Sequence, residues 1–301
     1  MRVFGLGQAS LDLIARVTGF PSEDCKKEVL CFTEQGGGPV ATALVSLTRL
    51  GVETAFAGVV SVDEAGRKIR AGLIEEGVDV GALVVREGGF SQKAYIIVNS
   101  ENASRTILWK RPTVAELKPD EVKEEWLQHA DFLLLDGLMA EASLRIARLA
   151  ANVGVSVVCD AGSPRPGLLR LLPEVDYIVG SEVFSAHFSS SPEEAVVKIA
   201  ACGAKAVTVT LGEKGSVTWQ DGRVFSTPAF KVRALDTTGA GDVFHGGYIF
   251  GLLKGWPLEE TVRFASAFAA LKCLAPGGRA GIPGLAETMR FMKAGKRPND
   301  L

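Results

Sequence analysis

The chain has 301 residues, 47% hydrophobic and 23% charged, the balance of a soluble globular protein with one large core. A formal net charge of −2 supplies no global positive field, which argues against a general nucleic-acid binder. Five scattered cysteines (Cys25, Cys31, Cys159, Cys202, Cys273) form no Cys-x-x-Cys pair, which argues against a zinc site or a disulfide framework and for a reducing, cytoplasmic setting.

In chain order, a strand is expected over 3–5. The following Gly5-Leu6-Gly7-Gln8-Ala9-Ser10 is a partial dinucleotide loop; its third glycine is missing and no helix opens after it, which argues against an NAD-dependent oxidoreductase. Residues 13–34 alternate apolar and polar, as do 90–110 with Lys93-Ala94-Tyr95-Ile96-Ile97-Val98, and both read as half-exposed antiparallel strands of a small flap. Between and beyond them, strands at 55–60, 132–136, 156–160, 177–180 and 206–210 alternate with helices at 39–50, 64–76, 143–152, 192–200, 242–254 and 258–274. That rhythm predicts an α/β fold: a doubly wound, mostly parallel sheet flanked by helices, in one domain over 1–301 with lid strands inserted at about 13–34 and 90–110. Cys159 and Cys202 lie in apolar runs and are expected to be buried. No secretory leader pattern opens the chain, and no apolar run reaches the roughly 18 residues that span a bilayer, so no membrane partner is expected.

The chemistry concentrates in Asp236-Thr237-Thr238-Gly239-Ala240-Gly241-Asp242, which runs into an apolar, helix-spaced segment. Gly239, Ala240 and Gly241 carry no bulky side chain, so their amides can turn toward one point, and a helix starting near Asp242 adds its positive end there. The result is an anion hole suited to a transferring phosphoryl group, with Asp242 placed to take the proton of an attacking hydroxyl. A tight turn with an N-cap is the alternative meaning of the same residues. No GxxxxGK[ST] loop is present, so the chemistry is not that of P-loop enzymes.

The run DTTGAGDVFHGG resembles the second signature of the ribokinase-like (PfkB) carbohydrate kinase family, and Gln35-Gly36-Gly37-Gly38-Pro39-Val40-Ala41-Thr42-Ala43 resembles its first. Order, separation and total length agree, so the resemblance covers essentially the whole chain. It implies a ribokinase fold with a β lid over a small-molecule sugar substrate, ATP as donor, Mg²⁺ held mostly by phosphates and waters, and a monovalent cation, K⁺, beside the anion hole. Asp242 then looks like the catalytic base, Gly37 and Gly38 like the paired glycines where the lid hinges, and Asp12 like the carboxylate that grips sugar hydroxyls. Thr210-Leu211-Gly212-Glu213-Lys214-Gly215 resembles the nucleotide loop, assigning Thr210, Gly212 and Gly215 to the nucleotide. Asp236, the Thr238 backbone and the loop beginning at Ala275-Pro276-Gly277-Gly278-Arg279 resemble the cation site.

The chain departs from the family pattern in places. Ala41 stands where Asn is usual, and in the family's NxxE element Ser181 replaces Asn while the glutamate shifts to Glu182, a metal-neighbouring or simply exposed carboxylate. The C-terminal third is most similar to sulfofructose kinases. Lys26 sits where that branch has a sulfonate-binding lysine, whereas its later polar and arginine positions are Trp109 and Leu138. Trp109 is a candidate to stack on the sugar, and Lys110 and Arg111 to hold a phosphate or carboxylate on it. His245 is expected to be packed or hydrogen-bonded rather than a second base. A nucleoside kinase, with Phe90, Tyr95 and Trp109 around a base, is the nearest alternative, and a non-catalytic sugar- or nucleotide-sensing protein is the other. Exposed lid edges suggest a homodimer through the flap.

Overall fold

A computed structural model describes residues 1–295. Its strands are β1 (Arg2–Leu6), β2 (Ser10–Val17), β3 (Cys31–Gly37), β4 (Glu53–Ser61), β5 (Leu83–Arg86), β6 (Lys93–Asn99), β7 (Arg105–Lys110), β8 (Phe132–Leu135), β9 (Ser156–Ala161), β10 (Tyr177–Ser181), β11 (Ala206–Thr210), β12 (Ser216–Gln220) and β13 (Arg223–Thr227). The helices are α1 (Pro39–Arg49), α2 (Glu64–Glu75), α3 (Ala140–Val153), α4 (Pro166–Leu171), α5 (Glu182–Ser185), α6 (Pro192–Ala200), α7 (Ala240–Leu253), α8 (Leu258–Lys272) and α9 (Leu285–Ala294).

Nine of the described strands form one sheet in the order β13-β12-β11-β10-β9-β8-β1-β4-β5. It is parallel from β11 to β5, with β12 and β13 antiparallel at one end. Because side chains alternate across a strand, Phe4, Leu6, Leu133 and Leu135 face one layer, containing α3, α4, α5 and α6. Val3, Leu134 and Val158 face the other, built from α1, α2, α7, α8 and α9. Strand order reverses at β1, whose neighbours are β4 and β8. The carboxyl ends of the strands part at such a point and leave a crevice, where α/β folds bind ligands.

The second sheet, ordered β3-β2-β6-β7, is the lid. One face carries its own small core of Ile14, Ala94, Ile96 and Val98, while β7 is exposed throughout. The lid differs from the sequence expectation in one respect: its central pair, β2 with β6, is parallel, and only the flanking pairs are antiparallel. Alternation reports which faces are wet, not which way a neighbour runs. The strands also lie differently from the expected 13–34: β2 starts earlier, at Ser10, β3 runs on to Gly37, and residues 18–30 between them form a non-strand loop. The β12–β13 hairpin was not anticipated, although it turns on Asp221-Gly222 with φ of 48° and 81°, a two-residue turn that brings the strands back antiparallel. Cys159 is buried as expected, but Cys202 is only partly so, because it lies just past the end of α6.

Two glycines join lid to body. Gly37 ends β3, and a Cβ there would lie 2.0 Å from Asp12 Oδ2. Gly38 precedes Pro39 at the start of α1 with φ 94°, and its Cβ would lie 2.3 Å from the Gln8 carbonyl oxygen. Left-handed backbone and backbone contact together demand glycine. Gly38→Ala is therefore expected to destabilise the protein by about 2 kcal/mol or more. Chemical denaturation checks this; an unchanged midpoint contradicts the hinge assignment.

Candidate active site

The helix α7 begins at Ala240, two residues before the expected start, with Gly239 as its N-cap in the left-handed region at φ 72°. Asp242 is therefore inside the first turn, and the glycine amides belong to the helix terminus itself. A Cβ on Gly239 would meet the Gly278 backbone at 2.9 Å, so only glycine lets these segments approach. No side chain caps this terminus. First-turn N–H groups have no intrahelical acceptor, and the helix dipole adds positive potential, so an anion is the natural ligand.

The turn feeding α7 is held by buried contacts. Asp236 is fully buried and its carboxylate accepts from the Thr238 N–H at 2.8 Å and the Gly277 N–H at 2.7 Å. Charge-assisted bonds of this kind contribute roughly 1.5–3 kcal/mol each. The fully buried Lys272, from the end of α8, donates through Nζ to the Asp236 carbonyl oxygen at 3.1 Å and to that of Thr238. Burial lowers the Lys272 pKa, opposed by Cys273 and Asp236. The turn expected to hold a monovalent cation thus presents these two carbonyl oxygens to the Lys272 ammonium. Ala275 donates its N–H to the Lys272 carbonyl and so sits on the same turn.

Asp242 is half-buried in this crevice. Burial pushes its carboxyl up to about 7, the charge of Asp160 adds to the rise, and His245 and Arg105 pull it back. His245 is buried, with Nδ1 2.7 Å from the Gly241 carbonyl and Nε2 3.2 Å from that of Val179. Asp160 lies 3.7 Å from Nδ1. Both ring nitrogens face backbone, so the ring is packed beneath the first turn, as expected. Arg105 reaches from the lid to Thr237 Oγ1 at 2.7 Å, tying β7 to the same turn.

On the other side of the crevice Asp12 is buried under the lid. Burial raises its pKa, offset by the hydrogen bond from Ser10 Oγ (2.7 Å) and the charge of Arg279. Arg279 is itself buried and lowered to about 10; it donates to the Gly37 carbonyl at 3.1 Å and to Thr42 Oγ1 at 3.3 Å. It thus links the loop after α8 to the glycine hinge. Asp136, just past β8, is pushed up to about 6 by burial, while accepting from the Gln8 N–H at 2.7 Å and the Leu138 N–H at 2.9 Å. Asp136, Asp160, Arg105, Arg279 and Lys272 were not singled out from sequence. The GGRAG loop marked the neighbourhood of Arg279, and the acids at strand ends marked Asp136 and Asp160.

The remaining expected residues are more dispersed. Ala41 is fully buried in α1. Lys26 is exposed on the loop between β2 and β3, and Trp109 is exposed on β7 with the Arg111 guanidinium 5.0 Å from its ring centre. Arg111 lines a cavity with Gly7, Gln8, Leu138 and Met139, at the base of the lid. Thr210 ends β11; Gly212 and Gly215 follow with φ of 60° and 96°, and Leu211 N–H donates to Gly215 O, closing a tight loop. Space beside Gly212 is open. Ser181 caps α5 by accepting from Phe184 N–H and donates to Gly162 O at 2.7 Å. Glu182 is exposed and paired with Lys214 of the 210–215 loop at 3.3 Å. Among the described residues no three His, Cys, Asp or Glu side chains gather as a metal cage. A divalent ion here fits only one carried largely by phosphate and water oxygens.

The sequence profile of the pfkB family carbohydrate kinases matches residues 2–284. Among curated relatives, fructokinase-1 of Oryza sativa subsp. japonica is 26% identical, covering 97% of this chain and 98% of its own. The 5-dehydro-2-deoxygluconokinase of Shouchella clausii is 27% identical over 95% of this chain and 93% of its own. A solved structure of a putative ribokinase from Agrobacterium tumefaciens superposes with a TM-score of 0.90 at 27% identity, covering 97% of each chain.

Removing the buried Arg279 donors leaves the Gly37 carbonyl and the Asp12 charge without them. Arg279→Met is expected to cost about 3 kcal/mol, read as a lower urea midpoint. An unchanged midpoint contradicts the bridging role.

Proposed function

Because the chain belongs to the pfkB family of carbohydrate kinases, we propose that it transfers the γ-phosphoryl group of ATP to a hydroxyl of a sugar, with Asp242 as general base. The observation that carries this reading is the uncapped start of α7 with Asp242 in its first turn. ATP lies with its adenosine end along the 210–215 loop and its γ-phosphoryl group at the Gly239–Gly241 amides. The sugar lies between Asp12 and Asp242 beneath the lid. Asp242 takes the hydroxyl proton as the sugar oxygen bonds to phosphorus; the bond from phosphorus to the β-phosphate oxygen breaks and ADP leaves. The amides are aimed where charge gathers on the transferring group, in a crevice closed by the lid. Mg²⁺, when bound with ATP, neutralises phosphate charge.

A carboxyl at its ordinary value is a weak base, and one raised to about 7 by burial accepts a proton more readily while still half ionised at neutral pH. Arg111 supports an anionic sugar, such as a sugar acid or sugar phosphate. It lines the cavity at the lid base together with Glu116, and its guanidinium lies 5.0 Å from the Trp109 ring centre. The gluconokinase relative is named for a gluconate derivative, which points the same way. The exposed lid side chains Phe32, Tyr95, Leu108 and Trp109 support a homodimer through the lid.

Asp242→Asn is expected to lower kcat by roughly 10²–10⁴-fold with ATP binding retained. In the wild type, the base must be deprotonated, so kcat/KM should rise tenfold per pH unit below about 7 and level off above it. Near-wild-type turnover by Asp242→Asn, or a flat profile from pH 5 to 8, would sink the mechanism.

A further inference from the structure

We propose that Lys272 is a built-in monovalent cation: its ammonium group does for this enzyme what a bound potassium ion would do beside the anion hole, and the kinase needs no such ion. The inference rests on the phosphoryl-transfer reading above and deepens it.

Lys272 is the last residue of α8, where a lysine is ordinarily a solvated partner for the helix C-terminus. Here its side chain is fully buried and turns back toward the catalytic turn, 34 and 36 residues away in sequence. Its Nζ is held by the Asp236 and Thr238 carbonyl oxygens. Carbonyl oxygens of this kind strip and replace the hydration shell of a potassium ion. An ammonium group is of comparable size, carries the same charge and satisfies the same oxygens by donating to them. Two cations cannot share one pair of carbonyls in a buried site.

The arrangement also explains what the cation is for. Within a planar trans peptide the C=O and N–H point in opposite directions. Fixing the Thr238 carbonyl on Lys272 therefore turns the Gly239 N–H the other way, toward the start of α7. Fixing the Asp236 carbonyl does the same for the Thr237 N–H. The Asp236 carboxylate locks the turn from within through Thr238 N–H and reaches across to Gly277 N–H. Lys272 thus acts through the backbone as a positioning residue. It orients and polarises the amides that meet the phosphoryl group without touching substrate.

The experiment compares wild type with Lys272→Ala and Lys272→Gln in buffers whose monovalent cation is K⁺, NH₄⁺, Na⁺ or tetramethylammonium. Both turnover and thermal midpoint are followed. For the wild type, kcat and midpoint are expected to be the same in all four within about twofold and one degree. Lys272→Ala is expected to lose kcat by roughly 10²-fold, with the sugar KM little changed. K⁺ and NH₄⁺, but not tetramethylammonium, should restore part of the rate and raise the midpoint. A wild-type enzyme that K⁺ activates several-fold or stabilises overturns the proposal. So does a Lys272→Ala enzyme that keeps full activity without added ions. If neither variant folds, the wild-type ion series still decides, since ion independence supports the proposal and ion dependence refutes it. The thermal readout requires no sugar, so a wrong acceptor or a wrong reaction leaves this test intact.

Discussion

No side chain caps the first turn of α7, and the buried Asp236 carboxylate holds the turn that leads into it. It accepts the Thr238 and Gly277 amides at once, fastening the turn before α7 to the loop after α8. Had a side chain capped α7 in the usual way, the terminus would be more stable and chemically idle. Leaving it uncapped transfers the cost of positioning to Asp236, Lys272 and the Gly239–Gly278 contact, all outside the helix proper.

The same economy runs through the crevice. The reversal of strand order at β1 puts the ends of β1, β8 and β9 side by side, and so brings Asp136 near Asp160, which in turn lies near Asp242. Burial makes ionisation of Asp136 and Asp242 harder, and the charge of Asp160 adds to this, which is why both are raised. Positive charge reaches that cluster from Arg279, near Asp12, and from Arg105 of the lid, near Asp242. The lid is thereby coupled to the chemistry by charge as well as by shape. Its strands carry Asp12 and Arg105, and its hinge glycines touch Asp12 and the β1 turn.

What could be read from the sequence was whatever local chain geometry writes locally. The glycines at 37–38 and 239 mark left-handed or crowded backbone, and the β-branched runs ending in Gly, Asp or Ser mark the parallel strands; both signals are short-range. Lys272 was illegible because a lysine in the last turn of a helix is ordinary, and only the tertiary fold brings it to Thr238. Arg279 and Asp136 likewise act on residues more than 120 positions away. The parallel pairing of β2 with β6 was hidden because alternation carries no direction. The start of α7 was displaced by two residues since Gly-Ala-Gly suggests a loop, while the backbone already turns helical at Ala240.

Transfer of a phosphoryl group onto a sugar hydroxyl is the activity proposed for this crevice. It is tested most directly by following γ-labelled ATP against a panel of neutral sugars, sugar acids, sugar phosphates and nucleosides. Label is expected on a hydroxyl of a sugar or anionic sugar, with stoichiometric ADP. Label confined to nucleosides, or ATP left intact with every acceptor, would contradict it.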